Sequence, residues 1–376
     1  MGLFSWLKKG AAPQDEPEPA AAAAAQESVE ELAGTLDGAD GAARVDAARA
    51  LLDRWRAGDA QAAEAIVGRL EDLLEDPEPQ VRIAAVGAVR MLRKPENLEK
   101  HAGAVLALLA DPAAPVRTAA VWTAARLPGP AARDQVRALL ESTEEPMQFA
   151  AACALSDQSD PAALPPLLAA LREDHRRQEA LSALLSLGDP GALATVAELF
   201  EDESLGEFDR TLAAAVLVRL GDARGVAHLV ERVAGDGDDR PIAAEWAGRL
   251  RVDAAVPALE ELAGSEGDPA RGAALRALGR LGAPGAEDRL LGIATSAEEP
   301  EDLRMDAAEG LAEIGSPAAL QALRGLAGEA GELGMLAQEL LAEIASTREE
   351  TTSTASSTPT PDSTATSSST PTSSST

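Results

Sequence analysis

The sequence predicts an all-α fold, an α-solenoid of stacked helix pairs with disordered N- and C-terminal tails. The chain has four Phe, four Trp and no Tyr, too few aromatic residues for an ordinary β-sandwich or barrel core. A helical hydrophobic pattern recurs at a nearly constant spacing, and glycine and proline breakers recur in step with it. These observations favour one long array over two or three unrelated domains.

Residues 1–26 come first and are predicted to be an apolar tip followed by a disordered linker, PQDEPEPAAAAAAQ. The tip carries large apolar side chains next to two lysines, a composition that suits weak binding to an anionic membrane surface. A short docking peptide or a free tip is the alternative. The apolar residues are Leu3, Phe4, Trp6 and Leu7.

The repeat is clearest when an arginine is taken as position zero of each unit. The eight residues at this position, 29 to 35 residues apart, are Arg82, Arg117, Gln148, Arg177, Arg210, Arg240, Arg271 and Arg304. Three residues later every unit has alanine: Ala85, Ala120, Ala151, Ala180, Ala213, Ala243, Ala274 and Ala307. Offsets seven and ten are mostly leucine, so offsets three, seven and ten predict one buried helical stripe.

Each of these helices is followed by a breaker and a second, leucine-bearing helix. Gly188-Asp189-Pro190 and Gly315-Ser316-Pro317 are examples of the breakers, and ALATVAELFEDE is an example of the second helix. The predicted unit is therefore a helix pair. The stretch ELGMLAQELLAEIA is predicted to close the array at its C-terminal end.

The stretches DPEPQVRIAAVGAVRML and DPAAPVRTAAVWTAARL resemble HEAT repeats of the bacterial subgroup similar to phycobilin lyase repeats. The resemblance covers roughly residues 70–345, and a degenerate start at 27–70 is expected to form the N-terminal cap. It implies that an Asp before the repeat helix and the Arg within it link successive repeats. Asp76 with Arg82 and Asp111 with Arg117 match, whereas later units lack the Asp at that spacing, which predicts an incomplete ladder. The expected solenoid spans 27–346.

Residues 347–376 are almost entirely Ser, Thr, Pro and Ala and are predicted to form a disordered tail. Thr358, Thr360 and Thr370 each precede proline and are candidate phosphorylation sites. A purely solubilising tail is the alternative.

A net charge of −30 opposes binding to nucleic acid, because that binding depends on cations that neutralise phosphates. The single cysteine, Cys153, excludes an intramolecular disulfide, and no apolar run is long enough to span a bilayer. The expected location is the cytoplasm, with peripheral contact at the inner membrane surface as an extension.

No pattern of catalytic, metal-binding or cofactor-binding residues is apparent, so the sequence predicts a protein that is not an enzyme and needs no cofactor. His101, His175 and His228 lack the His-Glu dyads of HEAT-like deoxyhypusine hydroxylases. The acidic runs lie in polar stretches between repeats, where nothing separates their pKa values. A bilin lyase-like or chromophore-chaperone role, implied by the resemblance alone, is the alternative.

Offsets one, five and eight lie opposite the buried stripe, on the side that lines the concave face of HEAT-like arrays. In the first five units this side is nearly free of charge, although Glu245, Arg276 and Glu309 occupy offset five later. We expect it to bind an apolar helix or extended segment of a partner protein, with Trp122 and Phe149 as an aromatic pair at its centre. The candidate binding residues are Ile83, Arg90, Thr118, Trp122, Phe149, Cys153, Gln178, Leu185 and Val218.

Overall fold

The structure is a computed structural model that describes residues 27–356, with side chains described through residue 347. Within that range it contains 21 α-helices and no β-strand, which confirms the all-α prediction. The expectations for the apolar tip at 3–7 and for the Thr-Pro motifs lie outside the described residues.

The helices are α1 (Val29–Leu36), α2 (Gly41–Arg56), α3 (Ala60–Val67), α4 (Leu70–Leu74), α5 (Pro79–Met91), α6 (Pro95–Ala107), α7 (Ala114–Ala124), α8 (Pro130–Ala138), α9 (Glu145–Ser156), α10 (Leu164–Ala170), α11 (Arg177–Leu187), α12 (Leu193–Glu201), α13 (Glu207–Arg219), α14 (Ala223–Ala234), α15 (Arg240–Arg249), α16 (Val256–Ala263), α17 (Arg271–Leu281), α18 (Ala286–Thr295), α19 (Glu301–Ile314), α20 (Pro317–Leu326) and α21 (Glu332–Ser356). Helix α21 packs on α19 and α20, and it continues beyond residue 346, where the sequence places the end of the solenoid.

The described residues divide into two compact units, an N-terminal unit that ends at His228 and a C-terminal unit that begins at Leu229. The boundary falls inside α14. The sequence predicts one array for 27–346, without this division. Each unit is a stack of helix pairs.

The predicted breakers end helices in the expected way. Gly188, Gly282 and Gly315 cap α11, α17 and α19 in the left-handed conformation, with φ of 63°, 61° and 62°. Glycine adopts this conformation without a steric penalty, which lets the chain turn sharply into the next helix.

The repeat helices, which we call ladder helices, stack directly on one another. They are α2, α5, α7, α9, α11 and α13 in the N-terminal unit and α15, α17 and α19 in the C-terminal unit. The eight alanines at offset three are all buried, as are the residues at offset seven. The small alanine side chains allow the close helix approach that the sequence predicts.

A ladder of ion pairs joins successive repeats. Arg44 donates to the Asp76 carboxylate at 2.8 and 3.0 Å, and Arg82 donates two bonds of 2.8 Å to Asp111. Arg82 also donates to the backbone carbonyl of Asp76 at 2.6 Å. Arg82 therefore holds the aspartate side chain of the following repeat and the aspartate carbonyl of its own repeat, whereas Arg44 donates to the Gly38 carbonyl at 3.1 Å.

Three sequence-based expectations about the ladder need correction. First, Asp and Arg do link successive repeats, but the side chain of Arg82 pairs with Asp111 of the next repeat and not with Asp76, the aspartate matched to it by spacing. Second, the later units do contain an acidic partner for the ladder arginine, but the number of residues between the arginine and this acid varies. The further pairs are Arg117 with Glu144, Arg177 with Asp209, Arg240 with Asp268, Arg271 with Glu299 and Arg304 with Glu329.

The third correction concerns the N-terminal cap. Arg44 occupies position zero of an additional repeat helix, with Ala47 at offset three and Leu51 at offset seven, both buried. Helix α2 is thus a full ladder helix inside the region treated as a degenerate cap. Two ladder positions differ from the rest, since Gln148 and Arg210 donate to backbone carbonyls instead of a carboxylate.

Candidate protein-binding surface

The predicted binding residues fall into two groups by exposure. Arg90 and Gln178 are exposed, and Ile83, Thr118, Trp122 and Val218 are half-buried. Phe149, Cys153 and Leu185 are only 9%, 3% and 6% exposed. Those three residues cannot present a surface to a partner in this structure, so the expectation for them is corrected.

The reason lies in how the ladder helices pack from α9 onward. Every residue in 149–156 of α9 and in 211–217 of α13 is buried, so these helices have no solvent-facing side in their central turns. Neighbouring ladder helices cover the flanks that carry offsets five and eight. Small residues at those positions, such as Cys153, Ser182 and Ala215, leave room for that close approach.

The sequence contained a signal for this burial. The segments FAAACALS and TLAAAVL are apolar or small on all sides, and a helix without a polar face is normally buried all round. The near absence of charge at offsets one, five and eight predicts a binding surface, but in α9 and α13 it reflects packing instead.

Phe149 and Trp122 differ in their surroundings as well as in their exposure to solvent. The Arg176 guanidinium lies over the Phe149 ring, 5.2 Å from its centre, in a cation–π contact. Trp122 remains half-buried on α7. The central aromatic pair expected from the sequence is therefore reduced to one accessible ring.

One accessible part of the predicted face lines a groove of about 250 Å³ between α2 and α5. Leu52, Ile83 and Val86 supply apolar contacts, and Gly87 leaves the groove open at mid-helix. Ile83, Gly87 and Arg90 are the offset one, five and eight residues of α5, as the sequence predicts. The α2 residues that face them were missed because Arg44 had not been recognised as a ladder position.

Arginines dominate the rim of this groove. Arg49 donates to the Gln80 side chain at 3.3 Å across its width, and Arg56 pairs with Asp53 at 2.6 Å. Desolvation by surrounding atoms lowers the pKa of Arg90, and the positive charges of Arg126 and Arg56 lower it further. The arrangement combines an apolar floor with a locally cationic edge.

A second concave region in the N-terminal unit lies along α8 and α10. It has a volume of about 750 Å³ and is lined by residues that include Leu140, Gln148, Pro165 and Pro166. Arg137, also in its lining, is already held by Asp160 at 2.5 Å. This cleft is within the size range of small-molecule sites, about 300–1,000 Å³.

The C-terminal unit carries a charged cluster where the other ladder helices are apolar. Glu245 of α15 is only 2% exposed, and it accepts hydrogen bonds from Arg280 at 2.5 Å and Arg249 at 2.7 Å. Arg276 lies 3.6 Å from both Glu245 and Glu309 and also pairs with Asp306. The three charged offset-five residues noted in the sequence thus meet in one network.

The pKa directions in this cluster differ from one carboxylate to the next. Burial alone would raise the pKa of Glu245, but Arg280, Arg249 and Arg276 together hold it below its usual value. Burial raises the pKa of Asp306 and of Glu309, and Arg276 only partly offsets the effect. Because arginines pair with its carboxylates, the network is consistent with a structural role that joins neighbouring ladder helices.

The histidines lie in separate surroundings. His101 is buried, and desolvation lowers its pKa, whereas the His228 ring contacts Phe200 edge-on at 5.3 Å. Over the described range, no group of three or more His, Cys, Asp or Glu side chains is arranged to hold a metal ion. No helix in the same range is both long and apolar enough to cross a membrane.

Sequence comparison identifies HEAT repeats at residues 102–184 and 256–342, one stretch in each unit. No curated protein is significantly similar to the chain in sequence. These two matches agree with the repeat pattern and with the observed stacking of helix pairs.

Several solved structures can be aligned with the chain, with low TM-scores. Human deoxyhypusine hydroxylase is 22% identical, with a TM-score of 0.29 and coverage of 67% of this chain and 97% of that one. The complex of CpcE and CpcF of phycocyanin lyase from Nostoc sp. PCC7120 is 17% identical, with a TM-score of 0.37 and coverage of 85% and 95%. Kap95p bound to RanGDP is 13% identical, with a TM-score of 0.38 and coverage of 91% and 53%. TM-scores this low support no function for the chain.

Proposed function

We propose that this chain, which carries HEAT repeats in both of its units, is a non-catalytic scaffold that binds a partner protein. The groove between α2 and α5 is the binding surface, and the partner contributes an apolar helix or an extended segment. The observation that carries the proposal is that half-buried Ile83 and Gly87 and exposed Arg90 line one open groove on α5. This face differs from the corresponding sides of α9 and α13, which are closed by packing.

The groove has the composition of a peptide-binding surface. Its floor is apolar, its rim is polar and charged, and binding energy in such sites is concentrated in a few central contacts. We expect Ile83, which lines the groove, to supply one of them, and half-buried Trp122 on the adjacent helix α7 to add a contact outside the groove lining. Ladder ion pairs on the neighbouring repeats hold α2, α5 and α7 in register, so the surface is preorganised.

The proposal retains Thr118, Gln178 and Val218 as outlying contacts and removes Phe149, Cys153 and Leu185. It places the protein in the cytoplasm. Weak peripheral attachment through Leu3, Phe4, Trp6 and Leu7 remains a separate proposal, tested by sedimentation with anionic vesicles before and after these four residues are replaced by serine.

The test is affinity capture from the native cell with three full-length baits: wild type, Ile83→Glu, and Leu168→Glu. Leu168 is a half-buried apolar residue on α10 of the same unit, outside the groove, so it controls for the introduced charge. We expect a protein that is retained by wild type and by Leu168→Glu and is lost with Ile83→Glu. Equal recovery with all three baits would place the binding surface elsewhere.

The second candidate is a bilin lyase-like or chromophore-chaperone role, favoured by the 750 Å³ cleft along α8 and α10. Incubation of the full chain with a bilin and an acceptor protein tests it directly. The scaffold proposal expects no covalent attachment of bilin to the acceptor. Attachment that is abolished by filling the cleft, for example with Ala169→Trp, would favour the lyase role.

A further inference from the structure

Three arginines stand at the ends of successive ladder helices beside the groove. Arg56 is the last residue of α2, Arg90 is near the end of α5, and Arg126 follows α7 by two residues. All three are exposed. Among the described residues Arg90 and Arg126 form no ion pair, and Arg56 pairs only with its own helix neighbour Asp53.

This row contrasts with the arginines of the ladder, nearly all of which are held by a carboxylate of the next repeat. Cations are favoured at helix C-terminal ends, which accounts for the position of each arginine taken singly. It does not explain three that lie close enough for their charges to act on each other. Helix α5 packs against both α2 and α7, and Arg56 and Arg90 both line the same groove, which places the three side chains near one another. Asp53 and Asp157 are the carboxylates nearby, and they leave the row with an excess of positive charge.

An anionic ligand is therefore the complementary occupant, and its source can be argued from the charge of the whole chain. A separate acidic molecule must approach a protein of net charge −30. An acidic segment of the same chain avoids that barrier, because a short tether gives it an effective concentration of order mM.

The sequence contains such a segment at a suitable distance. Residues 15–18 read DEPE, with carboxylates at Asp15, Glu16 and Glu18. The first described residue, Glu27, lies against the groove-forming helix, since its carbonyl accepts a hydrogen bond of 2.5 Å from Arg54 of α2. Glu18 and Glu27 are nine positions apart in the sequence. At 3.3–3.6 Å per residue this stretch can span about 30 Å, enough to pass around a helix of about 10–12 Å diameter.

We propose that the acidic segment 15–18 binds in cis to the arginine row Arg56, Arg90 and Arg126 and so covers one edge of the groove. Its regulatory consequence rests on the proposed function, because the covered edge is the one assigned there to a partner. A partner must then displace the segment, and its apparent affinity falls by the fraction of molecules in which the groove is free. The contact is electrostatic, so salt weakens it.

The test is zero-length cross-linking of the full chain with a carbodiimide, which joins a carboxylate to an amine that it touches. Arg90→Lys and Arg126→Lys keep the positive charge and introduce the required amine. Arg172→Lys is the matched control, because Arg172 is an exposed arginine of the same unit that also makes no ion pair within the described range. The cross-linked residues are identified by mass spectrometry of the monomer fraction, which excludes links between two copies.

We expect cross-links from positions 90 and 126 to Asp15, Glu16 or Glu18, at least about fivefold more abundant than from position 172. High salt should remove the difference. Cross-links that are absent, or equally abundant from all three positions, would overturn the proposal. The experiment involves no partner, so its failure leaves the capture experiment unaffected, and a failed capture leaves the cis contact unaffected.

Discussion

Arg82 donates two hydrogen bonds of 2.8 Å to Asp111, the aspartate that precedes the next ladder helix. Both side chains are buried, and the pair joins residues 29 positions apart in sequence. In a repeat protein, stability is approximately a sum of terms within repeats and between neighbours. The ladder pairs contribute to the terms between neighbouring repeats, and they fix the spacing of the helices that form the groove.

Removing one member of this pair should be costly. Asp111→Ala leaves the buried Arg82 guanidinium without its carboxylate, and we expect a loss of about 3–5 kcal/mol in the local unfolding free energy. Asp134→Ala is the control, since Asp134 is exposed and lies 3.8 Å from Arg137, and its loss should cost less than about 0.5 kcal/mol. Hydrogen exchange of α5 and α7 in the full chain measures both.

The same pair predicts a pH dependence. Burial alone would raise the pKa of Asp111, but hydrogen bonds from Arg82 and from the Ala113 amide hold it below its usual value. An acid with a lowered folded-state pKa stabilises the fold above its unfolded pKa, about 3.9, and loses that contribution as the pH falls through the folded value. Protection of α5 should therefore decline only below about pH 4. A decline already at mildly acidic pH would contradict this account.

The charged cluster of the C-terminal unit predicts opposite behaviour for two carboxylates. Glu245→Gln leaves three arginines without their shared buried anion, so it should lower the stability of α15 and α17 by about 3–5 kcal/mol at neutral pH. Asp306 has a raised pKa, so its charged form is the less favourable one in the folded state. The wild type should gain stability relative to Asp306→Asn as the pH falls towards about 3.9. Hydrogen exchange across a pH series measures the stability of both variants relative to the wild type. If the two differences in stability change with pH in the same way, the opposite pKa directions of Glu245 and Asp306 are wrong.

Two glycines of the C-terminal unit offer a matched pair. A Cβ on Gly279 of α17 would stand 2.5 Å from the Gly310 carbonyl oxygen of α19, whereas a Cβ on Gly292 of α18 meets nothing within 4 Å. Gly279→Ala should force the two ladder helices apart and cost about 1–3 kcal/mol. Gly292→Ala should stabilise its helix by up to about 1 kcal/mol. Thermal melting that ranks the two variants in the reverse order would rule out the close crossing of α17 and α19.

Cys153 provides a chemical check on the closed part of the predicted face. The side chain is 3% exposed, and burial raises its pKa, so little reactive thiolate is available. We expect no reaction with a thiol reagent in the native chain and complete reaction of this single thiol after denaturation. Rapid labelling of Cys153 in the native chain would indicate that this side of α9 is accessible to a partner.

The repeat pattern predicted the fold well because each helix pair depends mainly on its neighbours. Offset three marked the buried alanines correctly, and the glycine breakers marked the ends of α11, α17 and α19. The ladder was underestimated because its acids lie at variable positions in loops or at the start of a helix, 25 to 32 residues after the arginine, so a fixed spacing did not find them. Arg44 was missed for a related reason: the additional repeat is 38 residues ahead of Arg82 and does not share the later period.

The binding face was predicted less well because helical periodicity gives directions around one helix only. It identified the side of α5 that carries Ile83 and Arg90, and it could not indicate that the same side of α9 is covered by neighbouring helices. The clue was the absence of any polar side on α9, which is a property of the whole helix and not of one offset.

The most direct test of the scaffold account is the dissociation constant of the captured partner for three full-length proteins, measured by calorimetry. They are the wild type, Ile83→Glu in the groove and Leu168→Glu outside it, each with its melting temperature determined. The account predicts at least about tenfold weaker binding for Ile83→Glu, which corresponds to about 1.4 kcal/mol, with affinity unchanged for Leu168→Glu. Equal dissociation constants for all three proteins, with similar melting temperatures, would contradict the assignment of the groove as the binding surface.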